Sequence, residues 1–397
     1  MSVPRGATAQ SANQPTAIDL FSGAGGVTTG FKDAGVRVLA AVDTDPVSRK
    51  TYSANNPEVE VLADDLFRLV PSTLLNRLNL RKGDLTILTA CAPCQTFSSL
   101  SAKNRRSRDP RNKLVERVVD FVEVLKPRAV VMENVPLLAA QRRFLTTVRR
   151  VRKLGYGVRH AIVDAADFGV PQRRRRLVLI ALRGVRDEAV PLLTSDHPLV
   201  APFASRQTVR DAFATLKAIP ADDRLHRPRT NYPELVARRI AAIPPDGGSR
   251  YTLPADLQLK CHKKLVKTDG HGSGNVYGRM KWDDVAPTLT TRCTTPACGR
   301  YLHPEKNRAI TLREAAILQA FPADYHFEGG VMSIQAQIGN AVPPLLARAV
   351  ALIVTDAIAK LHSHGPGISR PEASCRPSIS TRSFAVSRGP TLDRSRV

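Results

Sequence analysis

Apolar and polar positions alternate along the first half of the chain in a strand–turn–helix rhythm. Short apolar runs, "AIDLF" from Ala17, "VRVLAAVD" from Val36 and "VEVLADDL" from Val59, each read as a strand that closes on acid. "DLTILTACAP" is a fourth strand, broken by Pro93, and "RAVVMENVP" a fifth. "GYGVRHAIVDA" and "RRLVLIALRG" are two more. Between them, "SGAGGVTTGF" is a glycine turn entering a helix. "VVDFVEVLK" has helical period and stops before Pro127. Strands alternating with helices predict an α/β fold with a parallel sheet covered on both faces.

The rhythm fails after about Gly184. Residues 185–305 are rich in proline, glycine and charge, with short strand-like pieces, and are expected to form a second, smaller domain. Helical period returns at "TLREAAILQAF" and at "PPLLARAVALIVTDAIAKL". The division expected is a disordered lead over 1–15, a first domain over 16–184, the second over 185–305, C-terminal elements over 306–361 and a disordered basic tail over 362–397.

Charge changes this picture. The 397 residues carry 59 Lys plus Arg against 35 acids, a formal net charge of +24. That excess attracts polyanions by long-range attraction and counterion release, so nucleic acid is the expected partner. No apolar run approaches the roughly 20 residues of a membrane span. Six cysteines in a chain this long make no disulfide framework, and no apolar signal core is seen at the N-terminus, so a reducing cytoplasm is expected.

Two places carry candidate chemistry. In "DLFSGAGGVTTGF" the glycines Gly23, Gly25 and Gly26 allow a sharp turn and close approach of a ligand. The spacing is not that of a dinucleotide site, and Asp19 at the strand end would repel a pyrophosphate. Acids on three successive strands (Asp19, Asp43 and Asp65) suit a ligand with an amine, a ribose and an adenine amino group but no phosphate, such as S-adenosylmethionine. The second place is "TACAPCQTFSSLS". Its cysteines Cys91 and Cys94 lie where a sheet presents ligands. Zinc would need Cys293 and Cys298 as well, in a loose "RCTTPAC". A redox pair normally opens a helix, and here a polar loop follows. Cys91 reads as a small buried hydrophobe. For Cys94 the nucleophile reading leads.

"DLFSGAGG", "APCQTFS", "MENVP", "FGVPQRRRR", "TLREAAILQAFP" and "QIGNAVPP" follow one another in the order and spacing of the DNA (cytosine-5)-methyltransferases, and the sequence resembles that family over roughly residues 16–361. The resemblance implies a Rossmann-like S-adenosylmethionine-dependent sheet domain with a smaller target-recognition domain over 185–305. It implies methyl transfer to carbon 5 of a cytosine flipped out of duplex DNA, through a covalent bond from Cys94 to carbon 6. Glu133 would hold ring N3 and the exocyclic amine, Arg176 cytosine O2, and Arg174 would support the site. Phe21, Gly23, Gly25, Gly26, Asp43, Asp65 and Asn340 would form the cofactor pocket, with Asp64 an alternative to Asp65. Asp43 stands where many relatives carry Glu, and Thr44 where many carry a bulkier residue. Asn340 would equally serve as a helix cap before "PPLLARAVALIV".

The resemblance makes double-stranded DNA the partner. It allows a cognate restriction endonuclease and implies a monomer. Lys103, Arg105, Arg106, Arg108 and Arg111 in the loop after Cys94 are expected at phosphates, and Thr290, Thr291 and Arg292 at DNA. The basic run Arg142, Arg143, Arg149, Arg150 and Arg152 reads either as a second such face or as a solvated one. The remaining rivals are an RNA (tRNA) cytosine-5 methyltransferase of the same fold, a DNA-binding relative with a dead site, and an oxidoreductase. The intact set of chemical residues argues against the second, and the missing dinucleotide turn against the third.

Overall fold

The computed structural model describes residues 14–93, 109–259 and 275–363. Cys94, the basic stretch through Arg108, most of the predicted lead and the tail after Ser363 lie outside the described residues.

Seven strands form one sheet: β1 (Thr16–Leu20), β2 (Arg37–Val42), β3 (Glu60–Leu62), β4 (Ile87–Ala90), β5 (Ala129–Asn134), β6 (Tyr156–Asp164) and β7 (Arg175–Arg183). Their order is β3-β2-β1-β4-β5-β7-β6. The neighbours from β3 through to β5 are parallel. The last two strands depart from the all-parallel expectation, because β7 runs antiparallel to both β5 and β6. The cause is the short link. Between Asp164 and Arg175 the chain makes only a 3-10 turn, Ala165–Phe168, and the "GVPQRR" bend. That length closes a hairpin, whereas a parallel return needs a crossover of about a dozen residues or more, usually helical.

Both faces are covered. On one, α3 (Pro71–Arg77), α4 (Leu114–Leu125) and α5 (Arg142–Lys153) bury Leu74, Val118, Val122, Phe144 and Val148 against Leu88, Val130 and Leu179. Helix α4 ends at Lys126, a left-handed residue directly before Pro127. On the other face lie α1 (Gly26–Asp33), α2 (Pro46–Asn55) and a late helix that returns from the far end of the chain.

The segment after Gly184 has little regular structure: α6 (Val209–Ala214), α7 (Glu234–Ala241), single 3-10 turns and isolated bridges among its described residues. Its main core joins Val209, Phe213, Met280, Leu289 and Tyr301 to α8 (Leu312–Leu318), the Phe321–Tyr325–Phe327 cluster and α9 (Val331–Asn340). The packing of this second lobe therefore runs past residue 305. Helix α8 opens with a capping box in which Thr311 and Glu314 exchange hydrogen bonds. Helix α10 (Pro344–Ser363) then crosses back to the sheet and packs on α1. Together α9 and α10 are long and apolar enough to span a membrane, but most of their apolar surface is buried in the protein.

Candidate active site

The site forms along the carboxyl edge of the sheet, where the central strands release their loops. After β1, Phe21 takes a left-handed conformation (φ 65°), as does Gly23 (φ 53°). The turn is tied to the end of β2: Phe21 N donates to Val42 O (2.9 Å), and Gly23 N donates to Asp43 Oδ2 (2.8 Å). Asp43 Oδ1 accepts from Asp45 N (2.8 Å). Burial pushes the Asp43 carboxyl up, and these two amides oppose that shift. Asp43 N donates in turn to Leu62 O, which brings β3 alongside. Three candidate residues, Phe21, Gly23 and Asp43, thus stand together. Asp65 follows β3 and caps its own turn by accepting from Phe67 N (2.9 Å).

The three glycines divide their work. A Cβ on Gly23 would meet nothing within 4 Å among the described residues. A Cβ on Gly25 would stand 2.7 Å from Tyr325 Oη, and one on Gly26 only 2.3 Å from Val342 O. Gly23 therefore leaves room for a ligand, while Gly25 and Gly26 admit the C-terminal segment. Tyr325 Oη donates to Ala24 O (2.5 Å) from the second lobe. Asn340 is the last residue of α9 and is exposed. It does not cap α10, which begins four residues later at Pro344 behind Pro343.

Beneath the turn, Asp19 is fully buried. Its Oδ2 accepts from Thr28 Oγ1 (2.9 Å), and that hydroxyl also meets Tyr52 Oη (2.7 Å). Asp19 Oδ1 and Ser22 Oγ are buried without a hydrogen-bond partner among the described residues. Burial pushes the Asp19 carboxyl up to about 7; Thr28 opposes this and Asp43 adds to it. Unsatisfied buried oxygens beneath an open glycine turn are what a pocket for a polar, cationic ligand presents. The residues present therefore fit an S-adenosylmethionine-like group.

Across the edge, Glu133 occupies the end of β5. Arg176, at the start of β7, reaches it with Nε 2.8 Å from Glu133 Oε1, and the two side chains are only 12% and 13% exposed. The register of the antiparallel pair makes this possible, since Glu133 lies opposite Val178 and Arg176 two residues before it. Burial pushes the Glu133 carboxyl up; Arg176 and Arg174 pull against that. Beside Glu133, Asn134 Nδ2 donates to Ala92 O (3.0 Å). Asn134 lies in the motif "MENVP", and this bond ties the end of β5 to Ala92, two positions before Cys94 in the sequence. Cys91, two residues before Pro93, has its thiol pushed well up by burial, with Glu133 and Asp19 adding.

Arg174, expected to support the site, is turned toward backbone carbonyls. It is 1% exposed, and its guanidinium donates to the carbonyls of Leu289, Gly339 and Ala341 (2.9–3.1 Å). Of its neighbours, Arg173 meets Asp284 at 3.5 Å and Arg175 is exposed. Thr291 and Arg292 are exposed, while Thr290 Oγ1 bonds Tyr301 Oη (3.1 Å). On α5, Arg143, Arg150 and Arg152 pair with Glu116, Asp120 and Asp187, so much of that basic face is internally compensated. Arg111 pairs with Asp109 (2.7 Å). Among the described residues no cluster of His, Cys, Asp and Glu is placed to hold a metal ion.

Comparison with known proteins identifies the family. The profile of the C-5 cytosine-specific DNA methylases matches residues 16–354. Type II methylase M.HgiDII of Herpetosiphon aurantiacus is 37% identical over 87% of this chain and 96% of its own. Type II methyltransferase M1.HphI of Haemophilus parahaemolyticus is 35% identical over 88% of each. Among solved structures, a DNA modification methyltransferase encoded within an E. coli prophage superposes with a TM-score of 0.60 at 22% identity, covering 87% of this chain and 99% of that one. DNMT2 of Spodoptera frugiperda gives 0.55 at 18%, covering 86% and 99%. The chain belongs to the C-5 cytosine-specific DNA methylases and is a methyltransferase that acts on DNA.

Proposed function

We propose that this enzyme methylates carbon 5 of one cytosine within a short duplex DNA sequence, through a covalent bond between Cys94 and carbon 6 of a flipped-out base. The observation that carries the reading is the buried Glu133–Arg176 pair, beside Asn134, which bonds Ala92 two positions before Cys94 in the sequence. Carbon 5 is a poor nucleophile until a thiolate adds at carbon 6 and turns the ring into an enamine. Glu133, biased by burial toward its protonated form, donates to N3 and accepts from the exocyclic amine as charge builds there. Arg176 keeps that carboxyl oriented and offers a cation for O2. Once carbon 5 carries the methyl group, transfer of its proton to a solvent base and expulsion of the Cys94 thiolate would restore the aromatic ring.

S-adenosylmethionine, when bound, supplies the electrophilic methyl group. Phe21 offers a face for adenine, Asp43 an acceptor for ribose hydroxyls and Asp65 one for the adenine amine. Gly23 gives the clearance, and Asn340 stands where α9 ends near the turn. Gly25 and Gly26 serve the same pocket by letting Tyr325 and Val342 close its floor. The lobe from 185 to 305 would select the target sequence, with Thr291 and Arg292 on its exposed side. The enzyme would act as a monomer in the cytoplasm, as the Type II kind, beside an endonuclease of the same specificity.

The test is incubation of the full chain with duplex DNA and methyl-labelled S-adenosylmethionine, with Cys94→Ser as control, followed by bisulfite mapping. Label at carbon 5 of one motif, absent in the control, is expected. Label in structured RNA and none in DNA would move the assignment to an RNA methyltransferase of this fold.

A further inference from the structure

Three side chains that touch neither Glu133 nor the glycine turn form a fully buried polar junction where the two lobes meet. Gln172 and Gln319 have no exposed surface, and Arg174 almost none. The chain at 171–173 runs beside 286–288 as a short parallel bridge: Arg173 N donates to Ala286 O (2.8 Å) and Ala286 N to Pro171 O (3.0 Å). Gln172 extends that bridge with its side chain. Its Oε1 accepts from Leu289 N (3.0 Å), and its Nε2 donates to Leu318 O (3.2 Å) and to Gln319 Oε1. Gln319 completes the chain, donating from Nε2 to Ala341 O (2.6 Å), the same carbonyl that Arg174 holds at 2.9 Å. Backbone contact locks the far side, since a Cβ on Gly339 would stand 2.3 Å from the carbonyl carbon of Thr290.

Four stretches of chain meet here: the entry to β7, the 286–290 segment, the end of α8 and the α9–α10 link. Arg176, partner of Glu133, lies four residues after Gln172. The exposed Thr291 and Arg292 lie directly after Leu289 and Thr290. A buried amide with both ends bonded has one orientation, and Gln172 and Gln319 are each bonded at both ends. We propose that Gln319 is a positioning residue for methyl transfer: through Gln172 it fixes the 286–290 segment to the strand that carries Arg176, so that DNA engaged by the second lobe is delivered in register to the Glu133–Arg176 pair. This rests on the function proposed above. Gln319 touches no reacting atom in that scheme. Its removal alters where the bound base sits relative to Glu133, and small misplacements of bound reactants carry large rate penalties.

The experiment compares the full-length wild type, Gln319→Leu and Gln319→Glu on the mapped target duplex. Saturating kcat is read from label transfer. The Kd for DNA comes from anisotropy of a labelled duplex, and the Kd for S-adenosylhomocysteine from calorimetry. Gln319→Leu keeps the volume and loses both bonds. It is expected to lower kcat at least tenfold with both Kd values within threefold of wild type. Gln319→Glu can accept from Gln172 but can donate to Ala341 O only when protonated. Its kcat relative to wild type at the same pH should therefore rise as pH falls from 8 to 6. A folded Gln319→Leu enzyme with kcat within twofold of wild type overturns the proposal. So does a Kd for DNA that rises in step with the loss of kcat/KM while kcat is kept, because the junction then only holds the lobe. Should the leucine variant not fold, a flat kcat ratio across pH for Gln319→Glu overturns it. A wild type that labels no DNA would instead sink the function on which the inference rests.

Discussion

The sheet lobe and the second lobe solve the same problem, buried backbone, in opposite ways. In the sheet lobe the polar backbone groups pair with one another, and the side chains are free to be aliphatic; Ile87, Leu88, Val130 and Leu179 are fully buried. Among its described residues the second lobe has almost no ladder, so its carbonyls need side-chain donors. Arginine supplies them. Arg279, 1% exposed, donates to the carbonyls of Ile240, Ile243, His303 and Lys306. Arg300 reaches the carbonyls of Gly247, Gly248 and Arg279, and Arg313 joins Asp223 to Tyr325 O. A planar fork with five N–H groups suits irregular backbone as no apolar side chain can. Buried arginines such as Arg174, Arg239, Arg250, Arg279 and Arg313 thus account for part of the +24 charge without facing DNA.

The largest effect should come from the chemical edge of the sheet lobe. Glu133→Gln removes the proton that the buried carboxyl shares with the base, and kcat is expected to fall by about 10²–10⁴. DNA affinity and the melting temperature should hardly move. A parallel loss of folding would make Glu133 a structural partner of Arg176 and break the division between the lobes. Arg279→Met is the converse experiment. It strands several buried carbonyls at once and should cost about 3 kcal/mol. Urea unfolding should show an early transition with loss of DNA binding, while S-adenosylhomocysteine still binds. Simultaneous loss of both ligands at one denaturant concentration would show that the sheet lobe does not stand without its neighbour.

The same contrast explains what could be read in advance. Strand periodicity placed all seven strands, because a buried ladder demands consecutive apolar residues such as "LVLIAL". The reversal of β7 escaped, since direction is set by the length of the link from Asp164 to Arg175 and not by the strands. The motif residues Phe21, Gly23, Asp43, Glu133 and Arg176 came together at one edge. Gly25 and Gly26 carried a second meaning, packing against residues some 300 positions away, that only the fold reveals. Arg174 shows the same limit: four consecutive arginines look alike in sequence, yet Arg174, just before β7, turns inward to carbonyls while Arg176 reaches Glu133. Asn134, Gln172 and Gln319 all lie inside the motifs that carried the resemblance, but their hydrogen-bond partners, Ala92, Leu289, Leu318 and Ala341, come from the fold alone.

Asp19 tests whether the sheet lobe tolerates a buried charge as the second lobe does. Its carboxyl titrates near 7 when folded and near 3.8 when unfolded, and burial is the chief cause. The protonated form therefore favours the folded state. The penalty begins as the unfolded carboxyl ionises above about pH 4, grows with pH, and levels off once the folded one ionises above 7. Asp19→Asn removes this dependence and offers an amide to the place of the unpartnered oxygen. The variant should gain about 2 kcal/mol on wild type between pH 5 and pH 8 in denaturant titrations. An unchanged difference across that range would mean that Asp19 titrates alike in the folded and unfolded chain.

The smallest effects separate two basic surfaces that look equivalent in sequence. On α5, Arg143 and Arg150 are half-exposed and committed to Glu116 and Asp120 on α4. Exposed pairs of this kind contribute about 0.2–1 kcal/mol each, so Arg143→Ala and Arg150→Ala should shift stability only slightly. They should leave the salt dependence of DNA binding untouched, because these cations already have carboxylate partners within the fold. Arg292, exposed beside the interlobe segment, is the opposite case. If it meets a phosphate, Arg292→Ala should weaken binding to all duplexes alike and reduce the slope of log Kd against log salt by about 1. Equal slopes for Arg292→Ala and wild type, with a reduced slope for the α5 pair, would reverse the assignment and place the DNA across the sheet lobe.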